Sequence, residues 1–301
     1  MKQILLLSTG GTIACRAGAD GLAPQQAGEQ LLRAVRVPAG VRVSVRDLMC
    51  VDSTDMTAEH RLAIARAIWH SRREYDGFVL THGTDTMAYT AAFLCRALPY
   101  FDKPVILTGS QLPMEADGSD APGNLADALA CAASDYRGAA VCFAGTLRRG
   151  TRVTKADTAA FDAFSGGNTG AAPDGVIEGG VPRIADRPAA GTPGFRTPVP
   201  QRAAVLTVTP LLDAETVRAC CGRDVLLLYG YGVGGVPEAL AEAVAQVVRS
   251  GTRVYLGTQC ASGAADCSVY AVGRRMQKLG VRCLEGQTLE DAAACVCLGL
   301  L

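Results

Sequence analysis

The sequence predicts an α/β protein of two domains. The larger, N-terminal one has a parallel sheet of the flavodoxin or Rossmann kind, and a smaller α/β domain follows it. Three observations carry this reading. Short all-apolar runs alternate with stretches of helical periodicity, the pattern of βαβ units and a parallel sheet. Several of those runs end in glycines flanked by hydroxyl residues. A segment from Gly179 to Arg202, rich in proline and glycine and poor in periodicity, separates two such patterned regions. The expected division is a domain over 1–180, a linker over 181–202 and a domain over 203–301.

The opening stretch, KQILLLSTGGTIA over Lys2–Ala14, sets the theme. Ile4–Leu7 reads as a strand buried on both faces. Gly10-Gly11 permits a tight turn and close backbone approach to a ligand, and Thr9 and Thr12 flank it. In open α/β sheets, ligands bind at such carboxyl strand ends. Arg16–Pro24 reads as a mobile loop, which directly after a candidate site can serve as a lid or be an ordinary connection. Helical periodicity covers Gly28–Val35. Val41–Leu48 alternates apolar and charged residues, as an edge or half-exposed strand does, and ends in Asp52-Ser53-Thr54-Asp55. Thr57 is placed to cap a helix running to about Arg73.

The strand-to-glycine device then repeats. Gly77–Leu80 runs into Thr81-His82-Gly83-Thr84-Asp85-Thr86, followed by a helix over Met87–Leu98. Pro104–Leu107 runs into Thr108-Gly109-Ser110-Gln111, and Ala139–Phe143 ends at Gly145-Thr146. Beyond the linker, strands are expected at Ala203–Val208, Val225–Tyr229 and Val254–Gly257. Helices are expected over Pro237–Arg249, Cys267–Leu279 and Leu289–Leu298. Thr288 heads a capping pattern, which makes Glu290 and Asp291 helix-start residues and not catalytic acids.

Composition narrows the function classes. Of the 301 residues, 49% are hydrophobic and 19% charged, which supports folded cores and excludes a disordered chain. Lysine plus arginine equals aspartate plus glutamate at 29 each, so no global field favours nucleic acid or an anionic membrane. The apolar run after Lys2 is too short for a signal peptide, so export is not expected. The twelve cysteines are scattered without a C-x-x-C pair. They read as reduced packing residues in a cytoplasmic protein that binds no metal. Neither nucleotide fingerprint, G-x-x-x-x-G-K-[ST] or G-x-G-x-x-G, occurs at the first turn.

Strand ends rich in hydroxyls and glycines suit a small polar ligand or acyl transfer to a hydroxyl nucleophile. A threonine needs a base and an orienting group. Asp85, beside Thr84, and Lys155, in GTRVTK, are the candidates for passing a proton. Read alone, Asp85 is a helix-start residue and Lys155 a solvated surface lysine. His82, directly after an apolar strand, reads as a structural histidine, and His60 and His70 carry no role.

At this point the residues match a known pattern. LLLSTGGTIA, VDSTDMT, DGFVLTHGTDTMAYTA, KPVILTGSQLP, GTRVTKADTAAFDAF, YGYGVGGVP, TQC and SVYAVGRRMQKLGV together resemble the bacterial type I, cytoplasmic L-asparaginases over essentially the whole chain. The resemblance implies cofactor-free hydrolysis of free L-asparagine to L-aspartate and ammonia. Thr12 matches the nucleophile that forms an acyl-enzyme. Thr84, Asp85 and Lys155 match the second catalytic group, and Thr84 and Asp85 also contact substrate. Asp52, Ser53 and Thr54 match the segment that grips the substrate's α-amino and α-carboxylate groups. Where more distant members place a lid tyrosine, this chain has Leu22. The family pattern also implies a homodimer or homotetramer, with no nucleic-acid or membrane partner. The closing Leu300-Leu301 is expected to need burial against a symmetric partner. Two other readings stand beside the amidohydrolase: an amino-acid-binding sensor of weak catalysis, and an amidase of the tRNA-dependent amidotransferase type, whose members carry an additional N-terminal domain.

Overall fold

The computed structural model describes residues 1–18, 21–24 and 27–301, and within 16–26 it describes backbone alone. The chain forms two compact units, Met1–Gly166 with Ala172–Thr197, and Gly167–Ala171 with Pro198–Leu301.

The larger unit is built on strands β1 (Lys2–Gly10), β4 (Val41–Val51), β5 (Gly77–Thr81), β6 (Pro104–Thr108), β7 (Gly138–Phe143), β8 (Thr146–Arg149), β11 (Gly175–Glu178) and β12 (Val181–Ile184). Between them lie the hairpin strands β2 (Cys15–Gly18) and β3 (Gly21–Pro24), and β9 (Thr154–Lys155) and β10 (Phe164–Ser165). Helices α1 (Gly28–Arg33), α2 (Ala58–Ser71), α3 (Met87–Ala97) and α4 (Ala121–Ala132) complete it. The eight-stranded sheet runs β12-β11-β8-β7-β6-β5-β1-β4. Its members from β4 to β7 are parallel, as the βαβ pattern demands. From β7 through β8 and β11 to β12 the pairing turns antiparallel, so the sheet is mixed.

The central strands are apolar throughout because both faces are covered. Every residue of β5 and β6 is buried, and Ile4, Leu6, Val79, Ile106 and Ala140 pack with α4 residues Leu125, Ala128 and Leu129 in one core. At about 25 cal/mol per Å2 of apolar surface, each such leucine or isoleucine contributes about 1.5–3 kcal/mol. β4 alternates because it is the sheet's edge, with Arg42 and Arg46 exposed. Thr57 caps α2 as expected: its hydroxyl accepts from His60 N, and His60 Nδ1 accepts from Thr57 N. His60 thus gains a structural task.

Two expectations change in this unit. Where a loop is expected over Arg16–Pro24, the described residues form two short strands, β2 and β3, paired antiparallel. A four-residue strand without long-range partners leaves no periodicity to read. The lid role of Leu22 rests on a side chain outside the described residues. The stretch expected as linker begins with β12, whose partner β11 also went unread. The part that follows is tied down within the larger unit: Gly194 N donates to Pro99 O and Arg196 N to Ala97 O.

The smaller unit holds β13 (Ala203–Thr207), α5 (Ala214–Arg218), β14 (Val225–Gly230), α6 (Ala241–Arg249), β15 (Arg253–Thr258), α7 (Ala271–Lys278), β16 (Arg282–Cys283) and α8 (Leu289–Cys297). Its four strands are parallel, in the order β13-β14-β15-β16. Thr288 caps α8, its hydroxyl accepting from Asp291 N, so Glu290 and Asp291 lie in the helix's first turn. Leu301 corrects an expectation: it packs on a cluster of Val225, Leu227, Ala292 and Val296 within this unit, leaving Leu300 the more exposed of the pair. Among the described residues no helix is long and apolar enough to cross a membrane.

Candidate functional site

Parallel pairing in register brings the strand ends to one level. Ser8 lies beside Thr81, and Thr81 beside Thr108. The turns that follow β1 and β5 then meet. Gly11 has φ +84° and ψ 172°, a conformation open in practice to glycine alone. A Cβ there would stand 2.3 Å from Gly83 N, so the two turns touch through bare backbone. Gly83 is equally crowded, since a Cβ on it would lie 2.5 Å from Ser53 Oγ. The glycines of both repeated devices thus exist so that three chain segments can converge.

Their convergence leaves a polar cavity of about 280 Å3 in the larger unit, walled by Thr12, Asp52, Ser53, Thr84, Asp85 and Lys155. Those six belong to the residues singled out from sequence. Thr54 does not reach the wall. Its N and Oγ1 donate to Asp52 Oδ1 at 2.9 and 2.8 Å and fix that carboxylate's direction. Gln111, Cys15 and Thr158 also line the cavity and were not singled out. Gln111 was legible, because it closes the third strand-end device. Cys15 and Thr158 carry no pattern that marks them.

Lys155 comes from the short β9 strand, far in sequence from its partners. Its Nζ donates to Thr84 Oγ1 at 2.8 Å and to Asp85 Oδ1 at 2.5 Å. The lysine side chain is 17% exposed and Asp85 56%. Lys155 is therefore not the solvated surface lysine it resembles alone. Asp85 makes no side-chain cap bond; Gly83 occupies the cap position of that turn. A hydroxyl bonded to an ammonium, which a carboxylate pairs in turn, is a group that can exchange a proton when the lysine releases one. Thr12, on the 3-10 turn Thr12–Ala14, shares the cavity, and among the described residues its hydroxyl has no hydrogen-bond partner.

Nearby titratable groups are held out of the chemistry. Burial pushes the His82 imidazole down to about 4, so it is neutral at pH 7. It is fully buried between Gly83 O, 2.7 Å from Nδ1, and Thr90 Oγ1, 2.9 Å from Nε2. This is the structural histidine that its position after β5 implies. Burial first, then the charge of Asp52, raises the Cys15 thiol, which keeps it protonated and a poor nucleophile. Among the described residues no group of three or more His, Cys, Asp or Glu side chains could hold a metal ion.

Comparison with known proteins follows the same lines. Residues 3–187 match the family described as Asparaginase, N-terminal, and residues 202–301 the Glutaminase/Asparaginase C-terminal domain. The chain is 35% identical over 288 residues to an L-asparaginase of Thermococcus kodakarensis, covering 93% of this chain and 87% of that one. It is 36% identical over 296 residues to L-asparaginase 1 of Escherichia coli K12, covering 93% and 86%. It is also 31% identical to a glutamyl-tRNA(Gln) amidotransferase chain of Methanopyrus kandleri, covering 93% of this chain and 66% of that one. The solved structure of the thermostable L-asparaginase from Thermococcus kodakarensis superposes with a TM-score of 0.92 at 34% identity, covering 99% of this chain and 92% of that one.

Proposed function

The chain belongs to the asparaginase family, and from that premise we propose that it hydrolyses free L-asparagine to L-aspartate and ammonia with no cofactor. The observation that carries the reading is Lys155 bonded to both Thr84 and Asp85 in a cavity that also holds Thr12. Thr12 Oγ1 attacks the side-chain amide carbon and gives up its proton. The C–N bond breaks, the departing nitrogen takes a proton and leaves as ammonia, and an ester to Thr12 remains. Thr84, Asp85 and Lys155 then direct a water onto that ester, which releases aspartate and restores the hydroxyl. Asp52 and Ser53 receive the α-amino and α-carboxylate groups, with Thr54 holding Asp52 in place. Residues 1–180 carry the catalysis in this reading, 181–202 join, and 203–301 form the second domain.

The test is ammonia release by purified protein with asparagine, with glutamine and with buffer alone. Turnover is expected on asparagine, with glutamine the weaker substrate. One specific observation favours Thr84 as nucleophile instead, namely that it is the hydroxyl already bonded to a lysine. Trapping the acyl-enzyme and locating the ester by mass spectrometry separates the two. The similarity to the glutamyl-tRNA(Gln) amidotransferase motivates one further arm, with glutamyl-tRNA(Gln) as substrate. Turnover confined to that arm would replace the asparaginase reading. Loss of turnover on every substrate, with asparagine still bound, would leave the sensor.

We further place the protein with the type I enzymes, which the match to the Escherichia coli L-asparaginase 1 supports. A cytoplasmic home is supported by its twelve cysteines, all free thiols. A homodimer or homotetramer follows from the family pattern, and light scattering behind size exclusion tests it.

A further inference from the structure

Lys155 reaches Thr84 and Asp85 across 71 and 70 residues of chain, yet both sides of that contact are backed by consecutive residues of one helix. We propose that Thr90 and Ala91 of α3 are positioning residues that set Thr84 and Asp85 against Lys155, an assignment that rests on the roles proposed for those three groups. Neither Thr90 nor Ala91 lines the cavity, and both are 0% exposed.

Thr90 is the polar member of the otherwise apolar buried set on α3. An interior helical threonine commonly turns its hydroxyl back on its own helix's carbonyls. That of Thr90 is engaged elsewhere, in a line of three bonds. Arg61 Nε donates to Thr90 Oγ1 at 3.2 Å, Thr90 Oγ1 donates to His82 Nε2 at 2.9 Å, and His82 Nδ1 donates to Gly83 O at 2.7 Å. The directions are forced. A carbonyl only accepts, so Nδ1 carries the proton of the neutral ring and Nε2 must accept. His82 itself is pinned, its N donating to Thr108 O at 2.9 Å. Gly83 O belongs to the planar peptide that joins Gly83 to Thr84. The line from α3 thus orients, from behind the cavity wall, the peptide on which Thr84 is carried.

Ala91 backs the other side. Gly150 is buried and opens the 3-10 turn Gly150–Arg152 that precedes β9. A Cβ on Gly150 would stand 2.5 Å from both Ala91 C and Ala91 O, so the turn lies directly on the helix backbone. Val153, 0% exposed, and the pairing of Lys155 with Phe164 carry that placement on to the lysine. One rigid helix therefore holds Thr84 through a hydrogen-bonded line and Lys155 through a packed turn. Displacing either by about 1 Å would part a contact of 2.8 Å, and misplacement of that size costs about a hundredfold in rate.

The test reads Lys155 itself. The chain has four lysines, Lys2, Lys103, Lys155 and Lys278, so NMR of the whole protein labelled with carbon-13 at lysine Cε resolves a small set of signals, and Lys155→Met assigns the one of interest. Thr90→Val keeps the side chain's shape and removes its hydroxyl. It is expected to move the Lys155 signal, to leave those of Lys2 and Lys278 in place, and to lower kcat on asparagine at least about tenfold. Thr90→Ser retains the hydroxyl and should keep the wild-type signal and turnover. Gly150→Ala lifts the turn off Ala91 and should move the same signal; if it fails to fold, Thr90→Val decides. A Lys155 signal unmoved in either folded variant would overturn the proposal, as would equal losses in Thr90→Val and Thr90→Ser. Absence of turnover in the wild type, with the Lys155 shifts present, would sink the asparaginase reading and leave the positioning intact, because the signal reports geometry and not chemistry.

Discussion

Gly11→Ala adds a single methyl at a point where two turns of the site touch. Two costs add. The backbone at φ +84°, ψ 172° lies in a region essentially reserved for glycine, which costs a side chain of order 1–3 kcal/mol. The new methyl would also stand 2.3 Å from Gly83 N and 2.6 Å from Gly83 Cα, both backbone atoms that cannot rotate away. Relieving that contact needs a shift of about 1 Å, comparable to overpacking a core, at about 1–3 kcal/mol. The variant should therefore lose about 2–6 kcal/mol of stability. If it folds, the turns bearing Thr12 and Thr84 stand about 1 Å further apart, and misplacement of that size costs about a hundredfold in rate. Urea unfolding and ammonia release from the same preparation measure both. A Gly11→Ala protein with the wild-type urea midpoint and wild-type turnover would refute the reading of the two turns as touching and jointly responsible for catalysis.

The remaining predictions address single groups. Thr12→Ala should cut kcat on the order of 10³-fold or more while leaving the fold intact; near-wild-type turnover would move the nucleophile to Thr84. Asp85→Asn with Lys155→Met should be little worse than the poorer single variant, since groups on one proton path fail together. Additive losses in log kcat would reduce Lys155 to a structural role. Asp52→Asn should weaken discrimination against N-acetyl-asparagine by about 1–3 kcal/mol, the worth of a charge-assisted contact, and an unchanged preference would show that Asp52 does not read the α-amino group. His82 stays neutral in the folded protein down to about pH 4, whereas the unfolded chain takes up that proton below about 6.5. The stability present above pH 6.5 is thus lost as pH falls toward 4, by about 3 kcal/mol. His82→Gln should flatten the urea-midpoint profile across that window, and parallel profiles would exclude His82 as its source.

The parallel core of the larger unit was legible because both its faces are buried. Ile4–Leu7, Gly77–Leu80 and Pro104–Leu107 are apolar without interruption, and each ends in glycine and hydroxyls. The hairpins were not legible, for a physical reason. β8 carries two arginines, and β9 and β10 are two residues long, too short for any period to register. The cavity was legible almost to the residue where side chains extend strand ends. Lys155 alone looks like surface, since its meaning depends on a partner 70 residues earlier; its hydroxyl-rich setting made it a candidate, and the family pattern matched it to Asp85. Thr54 and Gln111 stand apart from the rest. The family pattern matches Thr54 to the substrate grip, and in the fold it bonds Asp52, while Gln111 lines the cavity without having been marked.

The larger sheet is closed at one side by β11 and β12, yet these strands follow a short excursion, Gly167–Ala171, that belongs to the smaller unit. Vectorial synthesis therefore produces every residue of the Thr12 cavity before it produces the sheet's last strands. Until those arrive, β8 presents its outer edge, a row of unpaired backbone groups ready to accept any extended chain. A gene cut just past Lys155 would encode all four of the proposed reacting groups on a sheet inviting aggregation. The shortest active piece of this protein is consequently set by its edge protection and not by its chemistry.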